Sequence, residues 1–257
     1  MTSAPQHDRP GSYDREVSEI PNPSTVAVPA IVERLADGAG ITPVWRNELG
    51  GVTFRLGTER FVKWMPHGSE EIDLVAEAAR MRWASHWIRV PDVLGLGSDQ
   101  EATWLITAAL PGLSAVSPTW IDAPEIAARA IGAGLRHLHE ALPVAECPYD
   151  WGVAARLART PNAYPDELRT PPPVDRLVVC HGDACAPNTL LDEHGQFVAH
   201  VDLGSLGTAD RWADLAVAAW SMDWNFGPGY DDLVYAAYGV EPDAERIAYY
   251  RLLWDHA

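Results

Sequence analysis

The sequence feature that most constrains the fold is a hairpin pattern with polar residues at both of its ends. Residues 181–204 read HGDACAPNTLLDEHGQFVAHVDLG, and apolar, β-branched runs flank an Asp/Gly turn in this stretch. Such a pattern predicts a β-hairpin. Asn188 and Asp202 each lie seven residues from Gly195, so folding at the turn places them side by side at the open end. Asp183 begins the loop that leads into the hairpin and can face the same point.

These three side chains supply the groups that phosphoryl transfer from a nucleotide requires. One carboxylate can orient an attacking hydroxyl, while an amide and a second carboxylate can hold Mg²⁺ on the phosphates. Mg²⁺ is a hard cation that takes oxygen ligands in near-octahedral geometry. A surface hairpin with polar ends is the alternative interpretation, and the complete ordered set argues against it.

The same segment resembles the catalytic and metal loops of the aminoglycoside O-phosphotransferases, especially the kanamycin-type 3′-kinases, which are similar in fold to protein kinases. The resemblance covers the chain from about Trp45 to its end and is stronger in the second half. It implies ATP, or alternatively GTP, as the donor, with Mg²⁺ as the metal. It also implies that Asp183 is the catalytic carboxylate and that Asn188 and Asp202 bind Mg²⁺.

The predicted fold class is α+β, a bilobal protein-kinase-like fold with a small β-rich N-lobe and a larger, mostly helical C-lobe. Residues 1–24 are rich in Pro, Ser and acidic residues and are interpreted as a flexible leader. Residues 25–110 are predicted to form the N-lobe, and residues 111–257 the C-lobe. Apolar spacing predicts three helices in these lobes, over residues 26–35, 70–86 and 121–142.

A nucleotide site is predicted between the lobes. Lys63 lies on a short apolar strand, where its charge needs a partner. The resemblance provides one in Glu77, fourteen residues on, and glycine-turn N–H groups can approach phosphates closely. Adenine is expected to bond the backbone of the hinge that follows the last N-lobe strand. The residues predicted to bind the nucleotide are Lys63, Glu77, Gly50, Gly51, Ala108 and Ala109.

Four further residues near the catalytic motif are predicted to have structural roles. Asp210 is expected to brace the catalytic loop, and Asp214 is interpreted as structural. The family resemblance implies that His181 holds the loop in shape through a hydrogen bond. His139, on a long helix, is interpreted as a packing or surface residue.

The acceptor is predicted to be a small polycation. The chain carries 36 acidic and 19 basic residues, a net charge of −17, which argues against a nucleic-acid partner and suits a cationic ligand. An acidic proteome is the alternative explanation. In the family that the chain resembles, carboxylates bind the substrate amines. The candidates for acceptor binding here are Asp150, Asp166, Glu167, Asp223, Trp224, Asp231 and Asp255.

The sequence departs from the 3′-kinases on the acceptor side. Ser205 follows Asp-Leu-Gly where those enzymes usually have Arg, and the C-terminus carries Asp255 in place of an acidic pair with aromatics. A 3″-kinase acting on streptomycin therefore stands beside a 3′-kinase acting on kanamycin or neomycin. Kinases of the same fold for another small alcohol, such as a macrolide, a peptide antibiotic or a choline-like amine, and a non-enzymatic binding module are the other hypotheses.

The compartment and assembly are predicted from simple patterns. The N-terminus has no charged-then-apolar signal pattern, and no apolar run approaches the length of a membrane span. We therefore expect a cytoplasmic protein with no membrane partner, as a monomer or homodimer.

Overall fold

The computed structural model describes residues 25–68, 72–160 and 163–257. The predicted leader, residues 1–24, lies outside these ranges. The helices are α1 (Ala30–Ala36), α2 (Leu74–Ala84), α3 (Pro118–Ile121), α4 (Pro124–Ala141), α5 (Val153–Arg159), α6 (Trp212–Phe226), α7 (Asp231–Tyr238) and α8 (Ala244–His256). The strands are β1 (Ile41–Arg46), β2 (Val52–Leu56), β3 (Arg60–Pro66), β4 (Val93–Ser98), β5 (Ala102–Ala108), β6 (Leu113–Ser114), β7 (Leu177–Cys180), β8 (Thr189–Leu191), β9 (Phe197–His200) and β10 (Gly207–Asp210).

The first half of the chain forms a five-stranded antiparallel sheet in the order β1-β2-β3-β5-β4. Alternate residues of β3 face opposite sides of this sheet. Val62 packs in a core with α1, whereas Met65 packs in a second core with α2. Lys63 is two residues before Met65, so it lies on the α2 side of the sheet. The sheet therefore presents this lysine to the helix that carries Glu77.

Three predicted helices begin or end at other residues than expected. Helix α1 begins at Ala30, after Pro29, rather than at residue 26. Helix α2 begins at Leu74, because the Asp73 side chain accepts hydrogen bonds from the first-turn N–H groups and caps the helix there. The helix predicted over 121–142 forms as α4, which begins three residues later than expected because Pro124 is its first-turn proline.

The second half is mostly helical, and α4, α6, α7 and α8 surround a core that contains Trp212 and Tyr235. Two small sheets complete it, one of β7 and β10 and one of β6, β8 and β9. The core beneath α2 includes Leu203 and Leu206 from this half, so the two halves share one apolar interior. The α+β prediction is confirmed, while the lobe boundary at residue 110 stays a prediction. None of the helices in the described ranges is long and apolar enough to cross a lipid bilayer.

Candidate active site

The predicted hairpin forms from β8 and β9, with Thr189 opposite His200. Its turn is fixed by Asp192, whose Oδ1 accepts hydrogen bonds from the N–H groups of His194 and Gln196 at 2.9 Å. At the open end the Val201 N–H donates to the carbonyl oxygen of Asn188 at 3.0 Å. Asn188 therefore lies across from Val201, one residue before the Asp202 that equal spacing places opposite it, because a register irregularity lies between Leu190 and Leu191.

Asp183 and Asn188 are in direct contact. Asn188 Nδ2 donates to the Asp183 backbone oxygen at 2.9 Å and to Asp183 Oδ2 at 3.1 Å. The amide nitrogen is thus spent within the loop, and the amide oxygen is the atom left to bind a cation. Burial, and then the negative charge of Asp202, raise the pKa of Asp183. The carboxylates of Asp183 and Asp202 and the amide oxygen of Asn188 together provide negatively charged and neutral oxygen donors, and such a set fits Mg²⁺.

Lys63 joins the sheet, α2 and the hairpin. Its Nζ lies 3.0 Å from both carboxylate oxygens of Glu77 and 2.7 Å from Asp202 Oδ1. Burial opposes the charge of Lys63, but the two carboxylates outweigh it, so the pKa of Lys63 is raised. Burial would also raise the pKa of Asp202, and the charge of Lys63 outweighs it and lowers that pKa. Burial raises the pKa of Glu77 to about 7, against the attraction of Lys63.

The loop that carries Asp183 is braced by Asp214, a fully buried carboxylate at the start of α6. Asp214 accepts hydrogen bonds from the N–H of His181 at 2.6 Å and from the N–H of Gly182 at 2.9 Å. His139 Nε2 bonds the same carboxylate at 2.9 Å. Asp210, the acid expected to brace the loop, was the wrong one. Its side-chain oxygens accept hydrogen bonds from the backbone N–H of Trp212, at the start of α6, and from that of Asp175.

His181 has the loop-stabilising contacts that the sequence predicts. Its Nε2 lies 2.9 Å from the carbonyl oxygen of Val201, beside Asp202, and its Nδ1 accepts from the Asp183 N–H at 3.2 Å. One imidazole therefore ties the catalytic loop to the end of the hairpin. His139 is fully buried and bonded to Asp214 and to the Tyr238 hydroxyl, so it is a packing residue with a specific polar role.

The glycine turn between β1 and β2 is closed by Asn47. The Asn47 side-chain oxygen accepts from the N–H groups of Leu49 at 3.0 Å and Gly51 at 2.7 Å, and the Asn47 carbonyl accepts from Gly50 at 3.3 Å. A Cβ on Gly51 would lie 2.4 Å from Met65 Sδ, so a larger residue there would displace the Met65 side chain. A phosphate bound by these N–H groups would replace Asn47 as their acceptor.

The hinge donors predicted from the sequence are occupied by the sheet. The Ala108 N–H donates to the carbonyl oxygen of Asp92 at 2.9 Å, and the Ala109 N–H donates to that of Glu59 at 2.7 Å. The pairing of β5 with both neighbouring strands could not be read from local sequence.

The acceptor-side candidates divide into two groups, and one group adjoins the catalytic loop. Ser221 on α6 accepts the Ala186 N–H at 2.9 Å. Trp224 follows one turn later, is 42% exposed, and has its ring centroid 5.4 Å from that of Trp254. Sequence reasoning missed Ser221, because a serine in an apolar helix gives no signal.

Asp223 and Asp231 are close to each other. They lie at the end of α6 and the start of α7, and burial, then the charge of Asp231, raise the pKa of Asp223. Because the negative charges of these two carboxylates repel each other, a cationic ligand between them would be favourable.

The remaining acids lie elsewhere on the surface. Asp150 accepts the Gly152 N–H at 2.7 Å and lines a cavity of about 390 Å³ whose lining contains none of the site residues above. Asp166 pairs with Arg169 at 2.8 Å in an exposed turn that also contains Glu167. Asp255 is exposed in the last turn of α8. The hydrogen bonds of Asp150 and Asp166 are thus made with residues close to them in sequence.

Comparisons with known proteins find similar chains. Residues 47–250 match the model of the phosphotransferase enzyme family, APH. An aminoglycoside 3′-phosphotransferase of Streptomyces fradiae is 36% identical over 229 residues, covering 76% of this chain and 84% of that protein. A streptomycin 3″-kinase of Streptomyces griseus is 32% identical over 271 residues, covering 91% of this chain and 97% of that protein.

A solved structure is similar over most of the chain. Aminoglycoside phosphotransferase APH(3″)-Id from Streptomyces rimosus, in complex with ADP and streptomycin, has a TM-score of 0.65 and 28% identity, covering 87% of this chain and 95% of that one. This likeness confirms the predicted bilobal, protein-kinase-like fold class.

Proposed function

Because the chain belongs to the phosphotransferase enzyme family, the family of the aminoglycoside phosphotransferases, we propose that it transfers the γ-phosphoryl group of ATP to an aminoglycoside hydroxyl. Enzymes that modify these antibiotics in this way confer resistance to them. The observation that carries the proposal is the meeting of Asp183, Asn188, Asp202 and Lys63 at the open end of one hairpin.

Asp183 is assigned as the catalytic residue. It is held by Asn188 and by the braced loop, so its carboxylate can accept a hydrogen bond from the attacking hydroxyl and take its proton. Its raised pKa makes it a better proton acceptor than an ordinary aspartate. Positioning and charge neutralisation account for most of the catalysis in phosphoryl transfer, so a rigid loop matters more than a strong base.

Asn188 and Asp202 are assigned as the ligands of Mg²⁺. The amide oxygen of Asn188 and the second carboxylate oxygen of Asp202, whose Oδ1 accepts from Lys63, are oxygen atoms at the hairpin end that can bind a cation. When bound, Mg²⁺ neutralises the charge that develops on the transferred phosphoryl group. The residue Asp202 has a positive φ of 64°, which an aspartate adopts only where the surrounding structure imposes it.

Lys63 and Glu77 are assigned to the donor nucleotide. The ammonium of Lys63 would contact the phosphates while Glu77 keeps it in place. The turn at Gly50 and Gly51 would cover the phosphates from above. Nucleotide use is supported by the ADP in the Streptomyces rimosus relative. Backbone contacts of the hinge to the purine would select between ATP and GTP.

The acceptor site is proposed at the ends of α6 and α7. Asp223 and Asp231 would bind amino groups, and Trp224 would stack against a sugar face. Ser221 connects this helix end to the catalytic loop, so an acceptor held there can reach Asp183. The outlying acids Asp150, Asp166, Glu167 and Asp255 would attract a polycation through the net field of the protein.

The position that is phosphorylated has two candidates. Relatives named as 3′-phosphotransferases support the 3′-hydroxyl of a kanamycin-like acceptor. The streptomycin 3″-kinase matches over a larger share of the chain, 91%, and supports a 3″-hydroxyl. Ser205 stands where the 3′-kinases usually have Arg, and this difference would affect binding of the acceptor.

An acceptor panel tests the proposal. ADP release is measured with Mg²⁺ and ATP in the presence of kanamycin, neomycin, streptomycin, a macrolide or choline. Turnover with an aminoglycoside supports the proposal, and mass spectrometry of the product assigns the hydroxyl. Turnover confined to a macrolide or to choline would contradict it.

A further inference from the structure

Arg80 connects α2 to the second half of the chain. It follows Glu77 by three residues, and therefore by about one helical turn. Its Nε donates to the carbonyl oxygen of Leu206 at 2.9 Å, across 126 positions of sequence. Its guanidinium lies 4.8 Å from the centre of the Tyr149 ring. Neither partner is a carboxylate, so this contact is no ordinary surface ion pair.

Both partners of Arg80 are firmly anchored. Leu206 is fully buried in the core that also contains Ala78 and Met81 of α2. The Tyr149 carbonyl accepts hydrogen bonds from the N–H of Thr208 at 2.9 Å and from its hydroxyl at 3.1 Å. Arg80 thus binds two segments that are themselves fixed to β10 and to the interior.

The segment that Arg80 binds begins at the metal-site aspartate. Leu206 lies four residues after Asp202, and Asp202 accepts from Lys63 at 2.7 Å while Lys63 bonds Glu77 at 3.0 Å. The contacts form a closed ring from α2 through Glu77, Lys63 and Asp202 to Leu206 and back through Arg80. A shift of α2 would break the ring at the long, flexible lysine first.

We propose that Arg80 is a positioning residue that holds α2 against the segment after Asp202 and so keeps Glu77 within reach of Lys63. The proposal rests on the proposed function in its assignment of Lys63 to the nucleotide. A planar guanidinium can bond the carbonyl and stack on the ring together, and an ammonium cannot do both. The position is therefore specific for arginine.

A double-mutant cycle tests whether Arg80 acts through Glu77. Arg80→Met keeps most of the apolar stem and removes the guanidinium. We expect kcat/KM for ATP to fall about 10- to 100-fold, because the lysine is displaced from the phosphates. In the Glu77→Gln background the same change is expected to cost less than about two-fold. Losses that multiply independently would overturn the proposal.

A matched control lies on the same helix. Arg82 is exposed and two residues further along α2, so Arg82→Met is expected to leave kcat/KM within about two-fold. An equal loss in Arg82→Met would contradict the proposal. If Arg80→Met does not fold, Arg80→Lys takes its place with the same expected loss, and full activity of Arg80→Lys would refute the requirement for a guanidinium.

Amide hydrogen exchange separates this proposal from the proposed function. The amides of α2 are expected to exchange about ten-fold faster in Arg80→Met than in wild type, and to be unchanged in Arg82→Met. This result is independent of turnover. If exchange in α2 is unchanged in Arg80→Met, the role of Arg80 is overturned even when the wild type is an active kinase. If exchange is faster in Arg80→Met but the wild type has no kinase activity, only the proposed function is refuted.

Discussion

Gly182→Ala is predicted to disable the catalytic loop through a contact that can be measured in the structure. Gly182 has a φ of 87°, and a Cβ added there would lie 2.2 Å from the carbonyl oxygen of Ser205. The left-handed backbone costs an alanine about 1–2 kcal/mol, and overpacking adds about 1–3 kcal/mol. We therefore expect a loss of about 2–5 kcal/mol in the free energy of unfolding. Relief of the clash moves the loop by about 1 Å, and a displacement of that size costs about 100-fold in kcat.

Gly38 provides the matched control for this prediction. Its φ is 83°, and a Cβ there would meet no atom within 4 Å. Gly38→Ala is expected to lose only the backbone contribution of about 1–2 kcal/mol and to keep wild-type kcat. Urea unfolding and coupled ADP release measure both quantities for both variants. Equal kcat in Gly182→Ala and wild type would refute the argument that the Ser205 carbonyl fixes the loop.

Three further predictions concern the charge, the acceptor and the brace. kcat/KM for ATP should fall as the pH is lowered through about 7, because burial raises the pKa of Glu77 to about 7 and its protonation removes one of the two carboxylates that hold Lys63; a pH profile of Glu77→Gln that keeps this step would exclude the assignment. Trp224→Ala should raise KM for the acceptor about 2- to 10-fold through lost stacking and leave KM for ATP unchanged, and steady-state kinetics with each substrate varied detects any other pattern. Asp214→Ala should lose about 3–5 kcal/mol in unfolding free energy, because buried N–H donors and His139 lose their acceptor; a loss below about 1 kcal/mol in urea unfolding would contradict the role of the brace.

The hairpin and its polar ends could be predicted because both depend on local sequence. The predicted turn at Gly195 gave the hairpin, but the equal-spacing pairing of Asn188 with Asp202 was one residue out, because the observed register places Thr189 opposite His200. The partnership of Lys63 and Glu77 came from the family resemblance, and the contact of Lys63 with Asp202 came only from the structure. Residue type and order were therefore enough to predict which side chains form the site, but not all of the contacts among them.

The brace and the helix contacts could not be predicted, because they join residues distant in sequence. Asp210 and Asp214 have similar local surroundings, and only the packing of α6 decides that Asp214 receives the loop N–H groups. Ser221 and Arg80 have no local signature either. The helix predicted over 121–142 forms over Pro124–Ala141, and its start was misplaced although the proline that marks it was visible in the sequence.

Coupled ADP release by wild type and Asp183→Asn, with Mg²⁺ and a productive aminoglycoside, tests the role of the site most directly. We predict that wild-type turnover requires both Mg²⁺ and the acceptor and that Asp183→Asn is about 10²- to 10⁴-fold slower, with its affinity for ADP retained. Equal turnover by the two proteins would contradict the assignment of Asp183 as the group that receives the acceptor's proton.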